Sequence, residues 1–125
     1  MNISGNTILI TGGGSGIGRA LAEALHARGN QVIIAGRRER VLDEVTAANP
    51  GMASTLHDNQ DRADIEAFAR LIVERFPKLN AVLNNAGIMK PENVPAADNL
   101  AIVEETIATN LLGPTRLTTA LLPHF

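Results

Sequence analysis

The sequence predicts an α/β fold in which helices cover both faces of a parallel sheet, a doubly wound architecture. Four short apolar runs, at residues 7–11, 31–35, 53–57 and 81–84, are typical of strands that are buried on both faces. Helical patterns lie between these runs, and such alternation indicates right-handed βαβ crossovers. We expect one domain over residues 1–125, with the strand order 3-2-1-4.

Three helices are predicted from apolar residues at three- and four-residue spacing. Their apolar faces consist of Ile17, Ala20, Leu21, Ala24 and Leu25 in the first, Val41, Leu42 and Val45 in the second, and Ile65, Phe68, Ala69, Ile72 and Phe76 in the third. Asp61 is expected to cap the third helix and Pro77 to stop it. A fourth helix is expected from about Asp98 to Leu122, after a loop at residues 90–97.

The composition argues against several classes of function. Hydrophobic residues make up 45% of the chain and charged residues 19%, and the net charge of −2 gives no reason to expect nucleic acid or an anionic membrane as a partner. The chain has no cysteine, which excludes disulfides, a thiol nucleophile and thiolate metal sites. No metal site is expected. Because neither a secretory leader nor a long apolar run is present, we expect a cytoplasmic location.

The stretch TGGGSGIG, Thr11 to Gly18, contains five glycines and joins the first strand to the first helix. A glycine-rich turn at a helix N-terminus favours phosphate, because backbone N–H groups and the positive end of the helix dipole point at one spot. The spacing departs from the strict G-x-G-x-x-G pattern and lacks a Gly-Lys-Ser/Thr ending, so a nucleotide-triphosphate loop is disfavoured. The alternative is a glycine turn that binds no ligand.

Three further motifs follow the glycine turn in order along the chain. They are Asp58 after the third strand, the sequence NNAG at residues 84–87, and Asn110 in the last helix. Together these motifs resemble the short-chain dehydrogenase/reductase family, over all 125 residues. The resemblance implies a Rossmann-like fold, a nicotinamide cofactor, hydride transfer on a small-molecule alcohol or carbonyl substrate, and assembly into a homo-oligomer.

The resemblance also assigns cofactor contacts residue by residue. The pyrophosphate and adenosine ribose would be lined by Thr11, Gly12, Ser15, Gly16, Ile17 and Gly18. Asp58 would accept a hydrogen bond from the adenine amino group, with Asn59 beside it where the family more often has an aliphatic residue. The chain passing beneath the cofactor would comprise Asn85, Ala86 and Gly87, while Asn84 would tie neighbouring strands. The alternatives are a loop or helix-cap role for Asp58 and ordinary turn chemistry for the asparagines.

The end of the second strand bears on the choice between NADP and NAD. In such folds an acid about 20 residues past the glycines binds the ribose 2′-OH of NAD, whereas a basic residue accommodates the 2′-phosphate of NADP. Gly36 occupies the position of the acid, and Arg37 and Arg38 follow it. Because the planar guanidinium group suits phosphate, we expect NADP rather than NAD. The alternative is a solvated basic start to a helix.

Asn110 lies four residues before Pro114, which has no N–H group. The carbonyl of residue 110 therefore loses its normal helical partner. In the family, the asparagine at this position holds a water through its main-chain carbonyl, in the proton relay to the catalytic lysine. The resemblance thus gives Asn110 a catalytic role, and the alternative is a kink with a capped carbonyl.

The catalytic Ser and Tyr-x-x-x-Lys of the family have no counterpart in this sequence. The chain contains no tyrosine, and Phe125 precedes the place where the next strand would begin. We therefore expect a truncated, cofactor-binding half of an oxidoreductase that is inactive alone. A non-catalytic dinucleotide-binding or interaction module is the alternative. The unguarded edge of the strand at residues 81–84 and the leucine-rich last helix predict self-association.

Overall fold

The sheet of the computed structural model, which describes residues 2–88 and 99–125, has four parallel strands. These are β1 (Thr7–Thr11), β2 (Gln31–Gly36), β3 (Ala53–Leu56) and β4 (Ala81–Asn84). Their order is β3-β2-β1-β4, as predicted. Ile10 pairs in register with Ile34 on one side and Leu83 on the other, so the carboxyl ends of the strands meet at one edge.

The helical elements alternate with the strands along the chain. They are α1 (Gly16–Ala27), α2 (Glu39–Ala48), α3 (Arg62–Arg75), α4 (Asn99–Ile107), a π segment (Ala108–Leu112), α5 (Gly113–Leu121) and a 3₁₀ turn (Leu122–His124). The predicted last helix is therefore divided by a π segment, which ends immediately before the Gly113-Pro114 pair. Asp98 and the predicted loop at residues 90–97 lie outside the described residues.

Two strand boundaries differ from the prediction by one residue. β2 continues to Gly36, which pairs in register with Leu56 of β3. β3 ends at Leu56, although the His57 N–H still donates to the Gly36 carbonyl at 2.8 Å. Gly36 therefore belongs to the sheet, and the loop that carries Asp58 starts directly at the carboxyl edge of the sheet.

Alternate residues of the two central strands face opposite helical layers. Leu9 and Ile33 are buried in one core with residues of α3 and α5. Ile10 and Ile34 are buried in a second core with residues of α1 and α2. The sheet is thus covered on both faces, which confirms the doubly wound arrangement and explains why these strands are apolar at successive positions.

The buried face of α1 differs from the predicted one. Gly18 and Ala22 are buried, whereas Ile17 is 75% exposed and Leu21 is 39% exposed. Also exposed are Ala20 and Ala24, while Leu25 is half-buried. The reason is close packing: α1 lies so near the chain at Gly18 that a Cβ there would overlap the carbonyl of Gly12. Gly18 and Ala22 thus face the sheet in place of Ile17 and Leu21, and from the predicted face Leu25 packs against the core.

The third helix agrees with the prediction. The Asp61 side chain accepts hydrogen bonds from the N–H groups of Ala63 and Asp64, and so caps α3. Helix α3 ends at Arg75, before Pro77. The residues that it buries are Ile65, Phe68, Ala69 and Ile72.

The leucines of the last helical stretch fall into two groups. Leu117 and Leu121 are fully buried against α3 and the sheet. Leu111, Leu112 and Leu122 are exposed. The last helical stretch therefore has more leucines than its buried face holds, as its leucine-rich sequence predicts. Leu117 belongs to the core and not to the exposed surface.

Candidate functional site

A cleft opens at the carboxyl edge of the sheet, where doubly wound proteins bind ligands. Its volume is about 180 Å³, and it is open to solvent at its mouth. The predicted residues that line it are Thr11, Gly12, Ser15, Arg37, Arg38, Asp58, Asn59, Ala86 and Gly87. The predicted residues that do not line it are Gly16, Ile17, Gly18, Asn85 and Asn110.

The glycines after β1 have different physical roles. Gly12 has a φ of +70°, and a Cβ there would lie 2.9 Å from the Ala86 Cα. Gly18 leaves no room for a side chain because the Asn85 amide is packed against it. Gly16 has a φ of +56° and faces open space, with no atom within 4 Å of a Cβ position. Two glycines thus allow this turn to contact the loop after β4, and the third leaves the helix start uncovered.

The N-terminus of α1 is free of the usual internal cap. Ser15 occupies the N-cap position, yet its side chain makes no capping hydrogen bond. The first turn of α1 also carries no acidic residue. Backbone N–H groups at a helix start lack helical acceptors and favour an anion. This end of α1 therefore offers N–H groups and a hydroxyl to a phosphate.

Thr11 and Asn85 connect the glycine turn to the loop after β4. The buried Thr11 Oγ1 accepts hydrogen bonds from the N–H groups of Asn85 and Ala86, both at 3.1 Å. The Asn85 Nδ2 donates to the Gly12 carbonyl at 3.2 Å. The preceding Asn84 donates to the Thr118 hydroxyl of α5 rather than to a neighbouring strand. These side chains fix the backbone of the cleft floor.

Arg37 and Arg38 stand at the end of β2 and the start of α2, and both are exposed. Within residues 2–88 and 99–125, neither forms an ion pair, whereas the next arginine, Arg40, lies 3.8 Å from Glu44. Arg38 is the N-cap of α2 but makes no side-chain cap. Both guanidinium groups therefore lie at the cleft with their charge unmatched by a described carboxylate.

Asp58 is held rigidly in the loop after β3. Its Oδ1 accepts from the Gln60 N–H at 2.9 Å, and its own N–H donates to Asp64 Oδ2 at 2.9 Å. The carboxylate is half-buried at the cleft wall. It makes a loop contact of the kind that the alternative interpretation expects, and it also lines the cleft.

The side chain of Asn59 is buried and bonded inside the protein. Its Nδ2 donates to the Thr109 carbonyl at 2.8 Å, and its Oδ1 lies 3.1 Å from His57 Nε2. Neither partner was predicted from the sequence. The departure from an aliphatic residue at position 59 was a signal that the side chain has polar neighbours, but it did not indicate which ones.

The π segment presents Asn110 to the loop after β4. The Gly113 N–H donates to the carbonyl of Ala108, five residues earlier, so it is drawn away from the Thr109 carbonyl. The Asn110 side chain accepts from the Ile88 N–H at 2.8 Å and donates to the Ile88 carbonyl at 2.7 Å. Asn110 is thus fixed by two bonds to a residue that lines the cleft.

The described part of the chain offers neither a metal site nor a membrane span. Residues 2–88 and 99–125 contain no cluster of three or more His, Asp or Glu side chains that could hold a metal ion. No helix in those two ranges is long and apolar enough to span a bilayer.

The comparison with known families settles what kind of protein has this cleft. The family model described as short chain dehydrogenase matches residues 6–125. The chain belongs to the short-chain dehydrogenase family. Membership implies a nicotinamide dinucleotide cofactor, and the uncapped helix start at Ser15 fits such a group, as do Arg37 and Arg38, which have no ion pair among the described residues.

Individual relatives agree with the family assignment. The uncharacterized oxidoreductase DltE of Bacillus subtilis is 37% identical over 99% of the chain and 50% of its own length. The L-fucose dehydrogenase of Bos taurus is 31% identical over 97% of the chain and 45% of its own length. The chain thus spans about half the length of these curated relatives.

Solved structures give the same picture of the fold. A short-chain dehydrogenase from Streptomyces avermitilis superposes with a TM-score of 0.86 at 33% identity, over 97% of the chain and 44% of that protein. A glucose/ribitol dehydrogenase from Brucella melitensis gives 0.88 at 29% identity, over 98% and 52%. The likeness covers nearly the whole chain in both cases.

Proposed function

We propose that this chain binds NADP in the cleft, as the cofactor-binding half of an oxidoreductase that acts on a small-molecule alcohol or carbonyl. The observation that carries the proposal is the pair of exposed guanidinium groups at Arg37 and Arg38, with no carboxylate partner in the described residues. A 2′-phosphate beside Gly36 would complement their charge, whereas the ribose of NAD would find no acid there.

The remaining contacts follow the course of the cleft. The pyrophosphate would lie at the start of α1, with the Ser15 hydroxyl and the N–H groups of the first turn as donors. Adenine would lie beside Asp58, and the chain from Asn85 to Gly87 would pass beneath the cofactor. The close approach of Gly12 to Ala86, two residues that line the cleft, supports this course.

The chemistry divides between the cofactor and the protein. When bound, the nicotinamide supplies hydride transfer, and the protein must orient it and move the proton. We propose that the main-chain carbonyl of Asn110 holds a water for that proton. Because the chain contains no tyrosine to act as the family's acid/base, we also propose that it has no turnover alone.

Calorimetric titration with NADPH and NADH tests the cofactor assignment. Replacing Arg37 and Arg38 together by alanine removes the donors to the 2′-phosphate. We expect a loss of about 1.5–3 kcal/mol of NADPH binding energy per charged hydrogen bond, and no change for NADH. Arg40→Ala is the matched control, because Arg40 is also exposed but pairs with Glu44. Equal losses for both cofactors would contradict the assignment to NADP.

Self-association as a homo-oligomer is a second proposal, and it is favoured by the exposed leucines. Leu111 is 60% exposed and Leu122 is 63% exposed, on the same helical stretch. Light scattering of the wild-type chain should give a dimer or larger species, and Leu111→Glu should shift it toward the monomer. Leu117→Glu is unsuitable, because that residue is in the core. A wild-type chain that is monomeric at about 100 μM, well above the roughly micromolar range of moderate interfaces, would end this proposal.

The non-catalytic dinucleotide-binding module remains the alternative function. Sequencing the gene past the codon for Phe125 would distinguish the two functions, because a Ser followed by Tyr-x-x-x-Lys there would support the enzyme. A cytoplasmic location likewise stays a prediction from composition.

A further inference from the structure

Asn59 connects parts of the chain that are 50 residues apart. Its side chain is only 5% exposed, and its Nδ2 lies 2.8 Å from the Thr109 carbonyl oxygen. A carbonyl oxygen can only accept, so the amide nitrogen is the atom that faces Thr109. The Oδ1 then faces His57 Nε2 at 3.1 Å, and it accepts a hydrogen bond in the tautomer that carries the proton on this ring nitrogen. Both ends of the Asn59 amide are therefore oriented by hydrogen bonds.

The acceptor is available because of the π segment. In an α-helix the Gly113 N–H would donate to the Thr109 carbonyl, but here it donates to Ala108. In the π register the partner of Thr109 would be Pro114, which has no N–H. The Asn59 amide supplies the missing donor. Gly113 also packs directly on Asn59, since a Cβ at Gly113 would lie 2.6 Å from the Asn59 Cγ.

The next residue of the π segment reaches the other side of the cleft. Asn110 bonds to the N–H and the carbonyl of Ile88, in the loop after β4. Adjacent residues of one turn thus hold the loop after β3, through Thr109, and the loop after β4, through Asn110. Both loops line the cleft, and the five-residue π segment joins them.

We propose that Asn59 is a positioning residue that acts through Thr109 to hold Asn110 against Ile88, and so sets the geometry of the cleft floor. This inference rests on the proposed function, because it concerns how the cleft binds the proposed cofactor. The positioning role requires a hydrogen-bond donor at position 59, because an aliphatic side chain fills the same space but bonds to neither Thr109 nor His57. Asn59 then affects the binding of the nicotinamide half of the cofactor, although its neighbour Asp58 lies beside the proposed adenine site.

Amide hydrogen exchange of the free chain is the first test, since it needs no ligand. In Asn59→Leu the Thr109 carbonyl loses its donor, and the bond from Ile88 N–H to Asn110 should loosen. We expect the Ile88 amide to exchange about two- to tenfold faster, as the loss of one hydrogen bond implies. Asn49→Ala is the matched control, because Asn49 also makes two side-chain bonds of 2.9 Å but lies outside the cleft. Unchanged exchange at Ile88 would overturn the inference.

Ligand binding is the second test, with NADP⁺ and with adenosine 2′,5′-bisphosphate, which lacks the nicotinamide half. Asn59→Leu should weaken NADP⁺ by about two- to tenfold and the bisphosphate by less than about twofold. Equal weakening would mean that Asn59 acts at the adenine end, and would overturn the inference. Asn110→Ala should weaken NADP⁺ as well, and adding Asn59→Leu to it should have no further effect, whereas additive losses would count against the inference.

Failure of the proposed function is separable from failure of this inference. A wild-type chain that binds neither ligand would refute the proposed function, and the exchange at Ile88 would still decide the role of Asn59. If Asn59→Leu does not fold, Asn59→Val removes the donor with a smaller apolar side chain. The same exchange measurement then applies, with faster exchange supporting the inference and unchanged exchange overturning it.

Discussion

The two edges of the sheet differ in how far their polar side chains are bonded within the chain. At the amino edge, Asn30 Oδ1 accepts from the N–H and the side-chain amide of Asn6, and its Nδ2 donates to the carbonyls of Ile3 and Leu25. Asn80 donates to Asn6 Oδ1 in turn. At the carboxyl edge, asparagines also brace the backbone. There, however, the Ser15 side chain makes no cap and the arginines after Gly36 have no described ion pair.

This difference between the edges indicates which polar groups stabilise the fold and which are available to bind a ligand. A polar group whose hydrogen bonds are all made within the chain contributes to the fold and has nothing left for a ligand. A donor that the chain leaves unpaired contributes little to the fold and remains available to an anion. We therefore expect substitutions at the amino edge to change the free energy of unfolding, and those at the carboxyl edge to change mainly binding.

The largest effect is expected at the amino edge, from Asn30→Ala. It removes the acceptor of the buried Asn6 N–H, at about 1–3 kcal/mol, and one donor each from the carbonyls of Ile3 and Leu25. We expect urea unfolding to show a loss of about 2–4 kcal/mol, with NADPH affinity unchanged in the protein that remains folded. A loss below about 1 kcal/mol would contradict the structural role of this network.

An intermediate effect is expected in the glycine turn, where packing and binding meet. In Gly18→Ala the new Cβ would overlap the Gly12 carbonyl and the Asn85 amide, so helix α1 must shift. We expect a loss of about 1–3 kcal/mol in stability together with weakened cofactor binding. Gly36→Ala is the control for the loss of stability, because its Cβ would lie 3.5 Å from the Leu42 side chain, an ordinary contact. Equal losses of stability in the two variants would show that the overlap at Gly18 does not matter.

The smallest effect is expected at the partly buried contact between Glu23 of α1 and Asn49 at the end of α2. The hydrogen bond from Asn49 Nδ2, together with Arg19, lowers the pKa of Glu23 below its ordinary value of 4.5. Because the folded pKa is below the unfolded one, the stabilisation is present above pH 4.5 and is lost as the pH falls through the lower folded pKa. Unfolding measured at about pH 3–6 should therefore depend slightly less on pH in Asn49→Ala. If the free energy of unfolding depends on pH equally in Asn49→Ala and in the wild type, Asn49 does not lower the pKa of Glu23.

Local signals predicted much of the fold correctly. The bounds of β1 and β4 agree with the prediction, and Asp61 caps α3 as its position before the apolar pattern indicates. The cleft residues were also brought together by the predicted strand order, since the motifs follow the carboxyl ends of the strands. The buried face of α1 was predicted wrongly, because spacing identifies apolar residues but not how closely a backbone can approach a neighbour.

The sequence by itself determined the features that depend on neighbouring residues along the chain. These are the glycine turn at a helix start, the missing acid at Gly36 and the absent N–H of Pro114. Only the tertiary structure decided the partners of Asn59, the burial of Leu117 and the closed asparagine network at the amino edge. The physical reason is that a hydrogen bond or a packed contact needs both partners in place, and these partners are separated by many residues that only the folded sheet brings together.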